Sequence, residues 1–184
     1  MADEQAGQPR RRSRTGRRIA SLALAALGVV LILFAVAFFI YANQIRNPDD
    51  VALPENLAGY TLRTALYGKP AIADVSRLHG KEFPLSSGGI GMYGEQGEVT
   101  LWAAGTPANF LASRLLEDMV GAIAQGDSPF VSRGELERDG RRIYELDGMG
   151  QRHFYFQSDR LVIWLAADPA LADDVLREAL AFYP

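Results

Sequence analysis

The hydrophobic pattern divides the chain into two kinds of sequence. Ile19–Tyr41 is a run of 23 residues without a charge, Asn, Gln or Pro, interrupted only by Ser21 before it closes on Tyr41. Wound as a helix it would measure about 34 Å, enough to cross a hydrocarbon core about 30 Å thick. It lacks the polar stripe that a helix of a soluble core keeps. Beyond it, apolar residues recur with periods near two and near 3.6, the mark of strands and helices that share one core.

Tyr60–Tyr67 alternates as a first strand. Pro70 suits the first turn of a helix whose Ile72, Val75 and Leu78 share a face and which stops at Gly80. A glycine-rich passage, Ser86–Gly94, leads through turn residues into the strand Val99–Ala104, so these two read as a hairpin. Thr106 and Pro107 are the expected N-cap and first residue of the next helix, which carries Leu111, Leu115, Met119 and Ile123 at i, i+4 spacing, widened by Leu116 and Val120. Phe130–Glu137 and Arg142–Leu146 flank Asp139-Gly140, a type I′ hairpin signal. His153–Phe156 and Leu161–Ala166 follow as strands, the latter apolar on both faces and therefore expected at the centre of the sheet. Asp168-Pro169 opens a last helix bearing Leu171, Val175, Leu176 and Leu180. The order β-α-β-β-α-β-β-β-β-α behind one transmembrane helix predicts an α+β fold, an antiparallel sheet with about three packed helices. The expected boundaries are a disordered basic cytoplasmic tail at 1–18, a signal-anchor helix at 19–41, a juxtamembrane leader at 42–56 and an extracytoplasmic domain at 57–184.

Two segments also line up at an offset of 62 residues. Tyr93 and Tyr155 each precede a tryptophan by nine residues, and Trp102-Ala-Ala-Gly-Thr-Pro-Ala108 resembles Trp164-Leu-Ala-Ala-Asp-Pro-Ala170. The sequence leaves two readings open: a degenerate duplication of a ββα unit, or two strand-to-helix junctions with the same capping chemistry. The leucine spacings after Pro107 and Pro169 differ, which weighs against the first.

Charge orients the span. Residues 1–18 carry six arginines against Asp3 and Glu4, a net of +4, while the remainder sums to −7. Arg10, Arg11, Arg12, Arg14, Arg17 and Arg18 abut the apolar run, and beyond it only Arg46 precedes Asp49 and Asp50. By the positive-inside bias the N-terminus is cytoplasmic, with the arginines near anionic lipid headgroups, and the domain lies on the other side of the cell membrane. Topology accounts for the arginine cluster, so no nucleic-acid partner is expected. The apolar run is longer than a secretory core of about 7–15 residues, and an uncleaved signal anchor is the better reading. The chain has no cysteine, which removes disulfides, thiolate metal sites and a thiol nucleophile and favours a bacterial envelope.

Chemistry-bearing patterns are sparse. The two histidines, His79 and His153, lie in no metal-ligating spacing, and with Met92 and Met149 they form no recognisable haem or metal motif. There is no G-x-S-x-G elbow around Ser86-Ser87, and the glycines at 88, 89, 91 and 94 lack the Gly-Lys-Ser/Thr of a phosphate loop. Glu117-Asp118 and Asp173-Asp174 read as solvated helix faces. The expectation is therefore no cofactor, no metal and no enzymatic activity. Two features suit binding. Aromatic residues crowd the sheet, and Tyr144, His153 and Tyr155 either pack in the core or line a surface for a partner or an apolar ligand. Ser21, Ala25 and Gly28 form a small-residue face on the span suited to lateral helix packing. The function expected first is an accessory or assembly subunit that binds a membrane-protein partner, and second a ligand-binding or sensory ectodomain using the aromatic sheet face.

Overall fold

A computed structural model describes residues 14–126 and 128–184, which form four helices and nine strands. The chain divides into two units, the apolar helix through Tyr41 and a domain from Ala42 to Pro184. Helix α1 (Arg14–Arg46) contains, at Arg17–Arg46, the one segment among the described residues long and apolar enough to cross a membrane. It takes Arg14–Arg18 from the expected tail and Ala42–Arg46 from the expected leader. Once a long apolar helix is nucleated, it extends into flanking residues at one hydrogen bond apiece, and Arg is a good helix former. The rest of the tail, residues 1–13, lies outside the described residues.

The domain follows the expected order with two short strands added. It runs β1 (Asp49–Asp50), β2 (Asn56–Leu57), β3 (Tyr60–Tyr67), α2 (Gly68–His79), β4 (Ser87–Tyr93) and β5 (Val99–Gly105). Then come α3 (Asn109–Ala124), β6 (Val131–Arg138), β7 (Arg141–Gly148), β8 (Gln151–Ser158), β9 (Leu161–Ala167) and α4 (Ala172–Phe182). The strands form one sheet in the order β2-β3-β4-β5-β9-β8-β7-β6, antiparallel throughout except where β1 pairs in parallel with the start of β4. The apolar strand β9 lies at the centre, as its sequence required. The β6–β7 turn places Asp139 at φ +53° and Gly140 at φ +71°, the paired left-handed conformations of a type I′ turn.

Each face of the sheet has its own cover. On one face Leu101, Ile163, Leu165, Phe154, Phe156 and Ile143 are buried with Val175, Leu176, Ala179 and Leu180 of α4. Val51, Leu53 and Leu57 complete this core, so the second half of the expected leader is folded structure. Within the expected leader, Val51 and Leu53 form an apolar strap that leads into Leu57, the expected start of the domain. It is clamped to α4: Tyr183 donates its hydroxyl to the Ala52 carbonyl at 2.8 Å, and Glu178 accepts the Ala58 amide at 2.7 Å. Arg141 donates to the Leu180 carbonyl at 2.8 Å and to that of Tyr183, satisfying groups that the end of α4 leaves open. Gly89 lets the strap approach; a Cβ there would stand 2.9 Å from the Val51 carbonyl oxygen.

The opposite face is covered by α3, whose Ser113 donates to Gln157 of β8 at 2.9 Å, and near Gly88 by Ala71 and Ile72 of α2. Both late helices start after their prolines. Thr106 is buried and donates to the Ala108 carbonyl at 2.8 Å instead of capping α3, which begins at Asn109. Asp168 accepts the Ala170 amide at 3.0 Å in a turn ahead of α4.

The apparent repeat is confined to the central strand pair. At the offset of 62, β5 and β9 coincide and Trp102 stands directly opposite Trp164, a local twofold. Tyr93, however, is in register with Val99 on the α4 face, while Tyr155 is in register with Trp164 on the α3 face. The two hairpins differ in loop length, which inverts the parity of the tyrosines. Helices α3 and α4 also lie on opposite faces, whereas two ββα units related by that axis would send both to the same one. The matching junction sequences thus serve two different hydrogen-bonding arrangements.

Candidate functional site

Strand register builds one continuous row of side chains across the α3 face. Glu135, Tyr144, Tyr155, Trp164, Trp102, Ile90 and Leu66 are successive cross-strand partners on β6, β7, β8, β9, β5, β4 and β3. Its aromatic part is stacked: Tyr144 on Tyr155 at 4.9 Å between centroids, and Tyr155 on Trp164 at 5.1 Å, with planes 18° and 15° apart. Pairs of this kind add about 0.5–1.5 kcal/mol beyond the area they bury.

His153 flanks this stack and is fully engaged. Its Nδ1 accepts the Trp164 indole N–H at 3.1 Å, and its Nε2 lies 3.1 Å from the Gly148 carbonyl, which assigns the proton to Nε2. Phe130 closes over it edge-on at 4.7 Å and also meets Trp164 at 5.1 Å. Burial of the ring lowers the His153 pKa, opposed by its bond to Gly148 and by Asp147. Burial, with Tyr144 beside it, pushes the Tyr155 phenol up to about 12.

Of Tyr144, His153 and Tyr155, for which the sequence leaves core packing and a binding surface open, two are buried. Tyr155 is 2 % exposed and His153 4 %, while Tyr144 is half-buried at the β7 end of the stack. They are brought together, but under α3 and Phe130, because the aromatic stack supplies the apolar floor that α3 needs. The other histidine, His79, is exposed, bonded to the Val75 carbonyl at 2.8 Å and edge-on to Phe83 at 5.2 Å. No group of three or more His, Cys, Asp or Glu among the described residues is placed to hold a metal ion. Along α1, Ser21 and Ala25 are exposed, Gly28 has no side chain within 4 Å of its would-be Cβ, and Ser21 donates to the Arg18 carbonyl at 3.0 Å.

What the sequence did not single out is the other end of the row. On β3, β4 and β5 the α3 face carries Leu66 and Met92, 37 % and 44 % exposed, beside half-buried Trp102 and exposed Thr64. Helix α3 rests on β8, β9 and β6, and α2 packs on β4 and β3 near Gly88, so at this end Ile90 is buried while Leu66, Thr64 and Met92 stay exposed. Its own stripe, Leu111, Leu115, Leu116, Met119 and Val120, is only half-buried, and Ala112 alone is sealed. The available signal was the alternation in β4, where Ile90 and Met92 oppose Gly89, Gly91 and Tyr93; the sequence alone could not say which face would lack a cover.

Compared with protein-family models, with curated proteins and with solved structures, the chain matches none.

Proposed function

We propose that this chain is a single-pass protein of a bacterial cell membrane, with its N-terminus cytoplasmic, whose extracytoplasmic domain docks a membrane-protein partner as an accessory or assembly subunit, without catalysis of its own. The observation that carries this reading is the unequal cover of the aromatic row: Tyr155 and His153 are buried under α3 and Phe130, whereas Leu66 and Met92 stand exposed at the β3–β4 end, near half-buried Trp102. Contiguous apolar surface of this kind on a domain otherwise rich in surface ion pairs suits a protein interface. The basic N-terminal flank supports the orientation. The small-residue face Ser21, Ala25 and Gly28 supports a neighbour within the bilayer. Of the two histidines, the buried one is committed at both nitrogens to structure, which supports a binding role over acid–base work.

The test is site-specific photo-crosslinking in native membranes. A photoreactive residue at Met92 or Leu66 is expected to capture one discrete protein, and the same residue at Val131, exposed on the far edge strand β6, is not. Equal capture from Val131, or none from Met92, overturns the docking face. Because the chain has no cysteine, a single Met149→Cys in the exposed β7–β8 turn reports topology without background. Labelling by an impermeant maleimide in spheroplasts supports the orientation; protection until lysis reverses it.

A further inference from the structure

A recess lies at the end of the sheet where β4 and β9 begin and β5 and β8 end. It is a cleft of about 530 Å³, formed wholly by the domain, within the range of about 300–1,000 Å³ usual for small-molecule sites. Three hydroxyls of its polar wall are locked. Ser158 donates its only hydroxyl proton to the Pro184 carbonyl at 2.6 Å, Thr106 to Ala108 at 2.8 Å, and Ser86 to Gly105 at 3.4 Å. All three are buried residues. A hydroxyl whose proton is committed can offer a ligand only lone pairs, so these three oxygens are fixed acceptors.

The carboxylates of Asp49 and Asp159 add further acceptors, and Asp159 is held by Asn109 Nδ2 at 2.6 Å. Arg160 is the one cationic side chain of the wall, exposed and without an ion pair among the described residues. The exposed ring of Phe182 supplies an apolar side.

The chemistry of the occupant follows from this balance. A simple anion would meet the carboxylates of Asp49 and Asp159. A simple cation would meet Arg160. A ligand with several hydroxyls satisfies both kinds of group, donating to the fixed oxygens and carboxylates while accepting from the guanidinium fork, and its C–H surface can lie on Phe182. We propose that this cleft binds a saccharide unit. The sequence did not signal it, because only the strand order brings residues 86, 106 and 158 together. The inference does not rest on the docking face, which lies elsewhere on the domain.

The source is either a free sugar or the headgroup of a glycolipid; Gln44, also in the wall, is only three residues along the chain from Tyr41. The full chain in nanodiscs is titrated with methyl glycosides and read by saturation-transfer NMR. Phe182→Ala, at an exposed position, is expected to abolish transfer to the sugar C–H protons with an unchanged circular dichroism spectrum. Asp159→Asn, which tolerates the left-handed backbone at φ +49°, and Arg160→Gln are each expected to weaken binding about tenfold, the loss of one charge-assisted hydrogen bond. Displacement of the glycoside by discs containing a glycosyl diacylglycerol, but not by discs of phosphatidylglycerol, assigns the ligand to a lipid headgroup; no displacement by either assigns it to free sugar. Both outcomes support the proposal. Absence of transfer from every glycoside in the folded wild type overturns it. So does binding unaffected by all three variants, or preferential binding of tetramethylammonium. Met92→Lys, which tests the docking face, is expected to leave glycoside binding unchanged, so either reading can fail alone.

Discussion

The two halves of the α3 face start from the same row of side chains and end in opposite states. Over β7, β8 and β9 the row is Tyr144, Tyr155 and Trp164, closed by α3 and Phe130. Over β5, β4 and β3 it is Trp102, Ile90 and Leu66, with Met92 beside it; α2 packs here near Gly88 and leaves Leu66 and Met92 exposed. The sealed half achieves density by stacking large rings. The open half is thin: β4 carries Gly88, Gly89 and Gly91, so α2 and the 51–53 strap approach its backbone closely and leave side-chain surface outside. One half buries Tyr155 between two rings, the other buries only Ile90 and leaves Leu66 and Met92 outside, and the difference lies in side-chain volume more than in hydrophobicity.

The largest effect is expected in the sealed half. Tyr155→Ala removes a ring stacked on both sides and should destabilise the domain by about 3–5 kcal/mol, read from the denaturant midpoint of the full chain in detergent. Leu66→Ala in the same row should cost about 1 kcal/mol or less. Similar losses at the two positions would break the contrast. Next comes the close approach at β4. Gly89→Ala places a methyl 2.9 Å from the Val51 carbonyl oxygen and should cost about 1–3 kcal/mol through overpacking, although it adds apolar volume. A neutral or stabilising result would mean that the strap yields, and that the thin half is loosely packed.

How much of this was legible differs between the halves for a physical reason. The span, the element order, the Asp139-Gly140 turn and the central position of β9 all come from local patterns, and local patterns survive in the sequence. The burial of Tyr155 and His153 depends on where α3 lies, and both parities of 152–157 are aromatic, so period alone could not assign a face. Thr106 illustrates the same limit: its type and position suit an N-cap, but tertiary packing turned its hydroxyl to Ala108 and Arg160 carbonyls. The core role of Val51 and Leu53 was missed because these two apolar positions stand between Pro48-Asp49-Asp50 and Pro54-Glu55-Asn56, too few and too short to show a period.

A gentler probe of the sealed half is pH. The folded His153 pKa is lowered by burial, so between that value and about 6.5 the unfolded chain binds a proton that the folded one does not. The His153 contribution is then fully present above about pH 6.5 and is lost as pH falls toward the folded value. Protonation at Nδ1 would also set a donor against the Trp164 indole N–H. Unfolding midpoints from pH 7.5 to 5 should decline for the wild type and less steeply for His153→Asn. The charged group facing the ring, Asp147, remains in both, so the difference in slope isolates the imidazole.

The smallest expected effect on stability is the one that bears most on function. Met92 is 44 % exposed and lies at the less covered end of the row. Met92→Lys places a charge in water rather than in a core, and should change the unfolding midpoint by no more than about 0.5 kcal/mol. If the open half docks a protein, the same substitution buries that ammonium against an apolar partner surface, which is costly unless the partner supplies a counter-charge. Capture from a photoreactive residue at Leu66 in the Met92→Lys chain should then fall sharply, while the fold, the pH slope and the Tyr155 stack are untouched. Undiminished capture would mean that the open half is only thinly covered surface. A large loss of stability would mean that Met92 belongs to the core and that the two halves are less different than their covers suggest.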